Sequence, residues 1–120
     1  MARTVLTVRE LDARNTFCSS FTALTQAVDA ANGAEFEMEG QDDKHLILIQ
    51  NAATSAKTVT VKAGNGLQGV CDLSCEVAAS GYTCVTLESG RFKNVTGDDK
   101  GKVILTGTDA NIKVAVFKLP

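Results

Sequence analysis

Tryptophan is absent from this 120-residue chain, tyrosine and histidine occur once each, and aromatic residues make up only 5% of it. A core without large rings has to be filled mainly by Val, Leu, Ile and Ala. A sugar-binding surface normally offers Trp or Tyr for stacking, and only Tyr82 is present to do so. His45 is the sole imidazole, and a histidine that heads an apolar run suits a strand end better than a catalytic relay. Charge of one sign is lacking too. The 12 Lys and Arg against 14 Asp and Glu leave a net charge of −2, too little to draw in a polyanion, so nucleic acid is not an expected partner. No stretch approaches the roughly 18–20 apolar residues that cross a bilayer, and no membrane partner is expected. The opening MARTVLTVRE has none of the apolar character of a secretory signal, which predicts folding in a cytoplasm, where thiols stay reduced.

What is present is ordinary in amount and distinctive in order. Apolar residues make up 44% and charged residues 22%, values of a soluble globular chain and not of a disordered one. A single domain of this length buries roughly two thirds of its unfolded surface and needs no staples. From His45 onward, β-branched runs alternate with turn-forming segments: HLILIQN, KTVTVKA, CEVAA, YTCVTLE, KVILTG and IKVAVFKL. That rhythm predicts an all-β, antiparallel β-sandwich or jelly-roll-like barrel spanning residues 1–120, with a β body over 34–120 and a less regular, extended N-terminal segment over 1–33.

Within the N-terminal segment, TVLTV at 4–8 alternates as a strand, and RELDARN at 9–15 reads as a polar exit from it. Phe17, Phe21, Leu24 and Val28 recur at spacings of three to four, compatible with a short helix. The Thr, Ser and Val among them dilute helix propensity and favour an extended arm. Asn32-Gly33 marks a turn. In AEFEMEG, Phe36 and Met38 alternate with Glu35, Glu37 and Glu39, the pattern of a half-buried strand. HLILIQN is expected as the central strand, covered on both faces. KTVTVKA, with Val59 and Val61 on one side, is expected as an outer strand paired to it across NAATSA.

No motif carries a specific chemistry. GNGLQG at 64–69 fits neither a dinucleotide fingerprint nor a phosphate loop, since no helical pattern follows. It reads as a flexible or sharply curved loop that carries the chain from one sheet to the other. Cys71-x-x-x-Cys75 is poorly spaced for zinc. Cys75 and Cys84 fall on two arms of an expected hairpin turning at Ser80-Gly81, where register decides whether they meet. Cys18, Cys71, Cys75 and Cys84 are therefore read as small buried thiols, with disulfide formation in an oxidising medium as the alternative. Asp42-Asp43 and Asp98-Asp99 lie in turns without the alternating oxygens of a calcium loop. Asn94-Val95-Thr96 matches a glycosylation acceptor incidentally. The expectation is a protein that is not an enzyme and needs no cofactor or metal.

One stretch carries a likeness to a known group. CDLSCEVAASGYTCVTLESGRFKNVTG resembles small tailed-bacteriophage capsid decoration (cement or auxiliary head) proteins, short β-domains with a strand, a glycine turn, a second strand, an E-S-x-R-F-K-type segment and a closing apolar strand. The matching pieces are Asp72-Leu73, Ser80-Gly81, Leu87-Glu88-Ser89, Arg91-Phe92-Lys93 and the terminal VAVFKLP. TVLTV, HLILIQN and KTVTVKAG also resemble that pattern. The likeness implies a virion protein on the capsid surface, assembled in the host cytoplasm. Its partners would be the major capsid protein and further copies of itself, as a homotrimer or other homo-oligomer. Arg91, Phe92 and Lys93 become candidate capsid contacts, as do Phe17 and Phe21 on the arm; Phe92 has the competing role of core anchor. A phage tail or head–tail connector component is the alternative, and a carbohydrate- or receptor-binding β-sandwich is the second.

Overall fold

Period-two alternation of apolar side chains builds two sheets that face each other across one core. The computed structural model describes residues 3–11, 14–15, 26–39, 44–107, 109 and 111–120. Its strands are β1 (Thr4–Val5), β2 (Val8–Glu10), β3 (Ala34–Glu37), β4 (His45–Asn51), β5 (Lys57–Val61), β6 (Leu73–Val77), β7 (Tyr82–Val85), β8 (Lys102–Gly107) and β9 (Ile112–Lys118), with one helical turn, α1 (Ser89–Phe92). A five-stranded sheet has the order β1-β3-β8-β5-β6, and a four-stranded sheet the order β2-β9-β4-β7. The fold is an all-β sandwich and not a closed barrel. Both sheets are mixed: β1 joins β3 and β2 joins β9 in parallel, while the other neighbours are antiparallel.

The interior matches the scarcity of rings. Ile47, Ile49, Val59, Val61, Val103, Leu105, Ile112, Val114 and Val116 fill it, with Phe36, Met38 and Phe92 as the larger members. Phe36 and Met38 point inward and Glu35 and Glu37 outward, as the alternation in AEFEMEG predicts. The second face of β4 is also apolar. Leu46 and Leu48 pack there with Ala115, Phe117 and Leu11 but stay half-buried, because the two-layer sandwich has no third layer to give this strand the full double cover expected of it.

Connectivity departs from the expectation of hairpins. Every connection but β5–β6 passes from one sheet to the other. NAATSA is therefore an arch between sheets and not a hairpin, and β5 is an inner strand flanked by β8 and β6. The buried Asn51 explains the arch. Its side-chain amide donates to the carbonyls of Ser55 (2.9 Å), Val77 (3.1 Å) and Ala78 (3.3 Å), and its Oδ1 accepts from the Ala53 amide at 2.9 Å. One side chain thus ties together backbone groups of two neighbouring arches.

The second arch, Ala78–Gly81, replaces the hairpin expected at Ser80-Gly81. Ser80 takes a left-handed φ of 54° there, and its amide donates to Ala53 at 3.0 Å. A third arch joins β8 to β9, where the Asn111 carbonyl accepts from Ala52 at 3.1 Å and Asp109 pairs with Lys57 at 3.2 Å. The glycine-rich segment, conversely, does not change sheets: it links the neighbours β5 and β6. Three arches therefore close one end of the sandwich, and long loops occupy the other.

TVLTV is not one strand. The chain leaves the first sheet after Val5, buries Leu6 between the layers and enters the second at Val8. Arg9 and Glu10 continue as strand and are no exit. Gln26 fastens this crossover, accepting from the Thr7 amide and donating to the Val5 carbonyl, each at 2.9 Å. Residues 26–29 are extended, with Val28 buried in the core. Phe17, Phe21, Leu24, Cys18 and Asp42-Asp43 lie outside the described residues. At the expected Asn32-Gly33 turn, Gly33 has φ +86°, and a Cβ there would overlap the Leu105 carbonyl.

Candidate functional site at the loop end of the sandwich

Two connections meet at the end opposite the arches: the β5–β6 loop, 62–72, and the segment 86–101 that leads from β7 to β8. Glycine lets them touch. The Gly64 amide donates to the Arg91 carbonyl at 2.9 Å, and a Cβ on Gly64 would come within 2.5 Å of the Lys93 carbonyl oxygen. A Cβ on Gly69 would overlap the Gly64 carbonyl, so GNGLQG folds back on itself where only bare backbone fits.

Polar side chains lock this arrangement. Asn65 Oδ1 accepts from the amides of Val95 (2.7 Å) and Thr96 (3.4 Å), and its Nδ2 donates to the Thr96 carbonyl at 3.0 Å. Asp72 accepts from the Ala63 amide at 2.7 Å and pairs with Lys62 at 2.9 Å. The backbone amide, and secondarily the lysine, hold the Asp72 carboxyl below the usual range. Beneath, Asn94 is buried and its Nδ2 donates to the Lys102 carbonyl at 3.1 Å, so the amide of the glycosylation-like triplet is engaged inside the fold.

Among the polar side chains this scaffold displays stand several apolar ones. Leu67 is 104% exposed, Val70 77% and Val95 48%, and Leu73, at the start of β6, 37%. A fully buried Leu or Val side chain is worth about 1.5–3 kcal/mol, so these side chains hold unused burial energy on a loop pinned by hydrogen bonds. Nothing in the hydropathy of the segment singled them out, because four apolar residues spread over thirty positions have no periodicity. The glycine cluster beside them was the available signal.

The residues singled out by sequence are distributed differently. Phe92 is 5% exposed and packs in the core. It is an anchor and not a ring presented between two cations. Arg91 lies 5.4 Å from the Phe92 ring centroid and donates to the Cys71 sulfur at 3.4 Å; Arg91 and Lys93 are half-exposed. The cysteines do not pair among the described residues: Cys71, Cys75 and Cys84 are free. Cys71 and Cys84 are exposed, so neither is a small buried thiol. Cys75 lies opposite the inward Val59 in the first sheet, and Cys84 opposite the outward-facing Leu48 in the second. The hairpin that would join them does not exist. Burial pushes the Cys75 thiol up.

A concavity of about 440 Å³ lies under the β1–β2 crossover, lined by Leu6, Phe36, His45, Lys102 and several glutamates. Its central ion pairs are internal. Arg3 bridges Glu35 (3.2 Å) and Asp99 (3.1 Å), and Lys102 reaches Glu35 at 2.9 Å. The Lys102 ammonium first, and Arg3 after it, hold the Glu35 carboxyl below its ordinary value. His45 is buried against Phe36 with ring centroids 6.4 Å apart. Among the described residues no group of three or more His, Cys, Asp or Glu side chains is placed to hold a metal, and no helix is long and apolar enough to cross a membrane.

The fold is thus a β-sandwich whose loop end carries exposed apolar residues on a hydrogen-bonded scaffold. No family model, no curated protein and no solved structure matches the chain.

Proposed function

We propose that this protein is a virion structural component that binds the outer surface of a phage head and stabilises the capsid lattice. The observation that carries the reading is the exposure of Leu67 and Val70 on a loop held by Gly64, Gly69, Asn65 and Asp72. A surface preorganised in this way loses little conformational entropy on docking, and weak contacts repeated over a symmetric shell add through avidity. The sequence likeness to decoration proteins supplies the nature of the shell. Arg91 and Lys93 flank the same loops and suit an acidic rim.

Co-sedimentation with expanded, empty heads made without this protein tests the reading. Binding is expected, together with a loss of about a hundredfold or more on Leu67→Asp with Val70→Asp, each substitution removing on the order of 1.5–3 kcal/mol of burial. Heads that leave the protein in the supernatant refute it. Spontaneous rings or tubes would instead favour a tail or connector role. Tyr82, 62% exposed on β7, is the observation behind a carbohydrate- or receptor-binding reading, which retention on a glycan array would favour.

A further inference from the structure

The two sides of the sandwich are finished differently. On one side the crossover supplies both outermost strands, β1 of two residues and β2 of three, too short to template another chain. On the other side the outermost strands are β6, of five residues, and β7, of four. Among the described residues each has one neighbour, β5 for β6 and β4 for β7. Monomeric proteins blunt such edges with lysine, proline or bulges. LSCEV and YTCV contain no Lys and no Pro, and Glu76 is their only charge.

An open edge of this kind specifies its occupant, because a row of backbone donors and acceptors at strand spacing is completed by another strand. Here two edges lie on one side, joined by the arch at Ala78–Gly81, with the layers of a sandwich about 10 Å apart. A single extended peptide completes one of them. A second copy of this chain completes both, because a twofold axis normal to the sheets sets β6 antiparallel to its mate and β7 antiparallel to its mate in one operation.

We propose that the protein forms a twofold dimer in which both sheets run on through β6 and β7. Growth then stops at two, since only the short crossover strands remain on the outside. Cys75 is the middle residue of β6 and Cys84 sits within β7, so pairing centred on these strands brings each thiol near its own copy. The dimer needs only the isolated chain and is independent of binding to a shell.

Sedimentation velocity of the purified protein in reducing buffer is the test. A dimer is expected. Ser74→Lys with Cys84→Lys, both at exposed outward positions, is expected to weaken it at least about tenfold by setting like charges across the junction, with the far-UV circular dichroism unchanged. A variant keeping Cys84 as its only cysteine, treated with a short bismaleimide, should give a cross-linked dimer, and this second measurement decides the matter if the lysine variant does not fold. A monomer at all concentrations, an oligomer untouched by the lysines, or no cross-link through Cys84 would overturn the proposal.

Discussion

Replacing Asn51 is the sharpest perturbation of this fold, because one side chain serves four backbone groups in two arches. Asn51→Ala strands the Ala53 amide, whose bond to Asn51 is buried, and takes a second donor from the Val77 carbonyl, which keeps its strand pairing with Lys57. The Ser55 and Ala78 carbonyls, only partly buried, can find water. One buried amide left unsatisfied at about 1–3 kcal/mol, with the loss of the bonds to the carbonyls added, gives an expected loss of roughly 2–3 kcal/mol, against a total stability of about 5–15 kcal/mol for a domain. Asn51→Asp separates hydrogen bonding from packing. The new carboxylate keeps the Ala53 bond, but it faces three carbonyl oxygens in a buried site, which raises its pKa above the unfolded value of about 3.9. A raised acid pKa means that the folded state binds more protons, so stability falls as pH rises from the unfolded pKa through the folded one. The Asp variant should therefore approach wild type near pH 3–4 and fall well below it at pH 7, while the Ala variant loses a similar amount at both. Urea unfolding followed by far-UV circular dichroism is the assay, since the chain has no Trp. A loss below about 1 kcal/mol for Asn51→Ala, the net worth of one ordinary hydrogen bond, would refute the role given to this residue, as would a pH-independent Asp variant.

Three further outcomes follow from the same structure. Glu35→Gln removes a carboxylate whose folded pKa is lowered by Lys102 and Arg3; its contribution, about 1 kcal/mol for part-exposed pairs of this kind, is present above the unfolded carboxylate pKa and lost as pH falls through the folded one. Paired urea melts at pH 7 and pH 3 check this, the difference between the two proteins closing at the lower pH. Gly33→Ala meets both a φ of +86° and the Leu105 carbonyl, and should cost about 2 kcal/mol or more, beyond the roughly 1 kcal/mol of left-handed strain alone, read as a lowered melting temperature. In a Cys18→Ser background, a thiol reagent should modify Cys71 and Cys84 quickly and the half-buried Cys75 slowly, and two fast equivalents in the native protein would separate this arrangement from a Cys75–Cys84 disulfide.

The faces of strands were readable in advance where alternation is strict. Phe36 and Met38, and Val59 and Val61, take the environments their spacing implies, because strand geometry turns successive side chains to opposite faces whatever the strand pairs with, while the unbroken apolar run of HLILIQN is buried on one face and only half-buried on the other. The scarcity of aromatic rings likewise announced a core of Val, Leu and Ile. At the loop end, GNGLQG signalled an unusual backbone, while the exposed Leu67 and Val70 beside it left no pattern to recognise.

Pairing was another matter. NAATSA and AASG bridge layers as easily as they turn within one, and composition does not distinguish the two. The choice rests on Asn51 reaching carbonyls at Ser55, Val77 and Ala78, a set that exists only once residues far apart in the chain are neighbours. For the same reason TVLTV broke at the buried Leu6, Phe92 turned into the core beside Leu87, and Cys75 and Cys84 parted to different sheets. Local order along the chain dictated which residues became strand and which face of each is greasy. Which strands lie side by side, and therefore which edges and side chains are left open to a partner, came from long-range burial and backbone hydrogen bonding that no short stretch encodes.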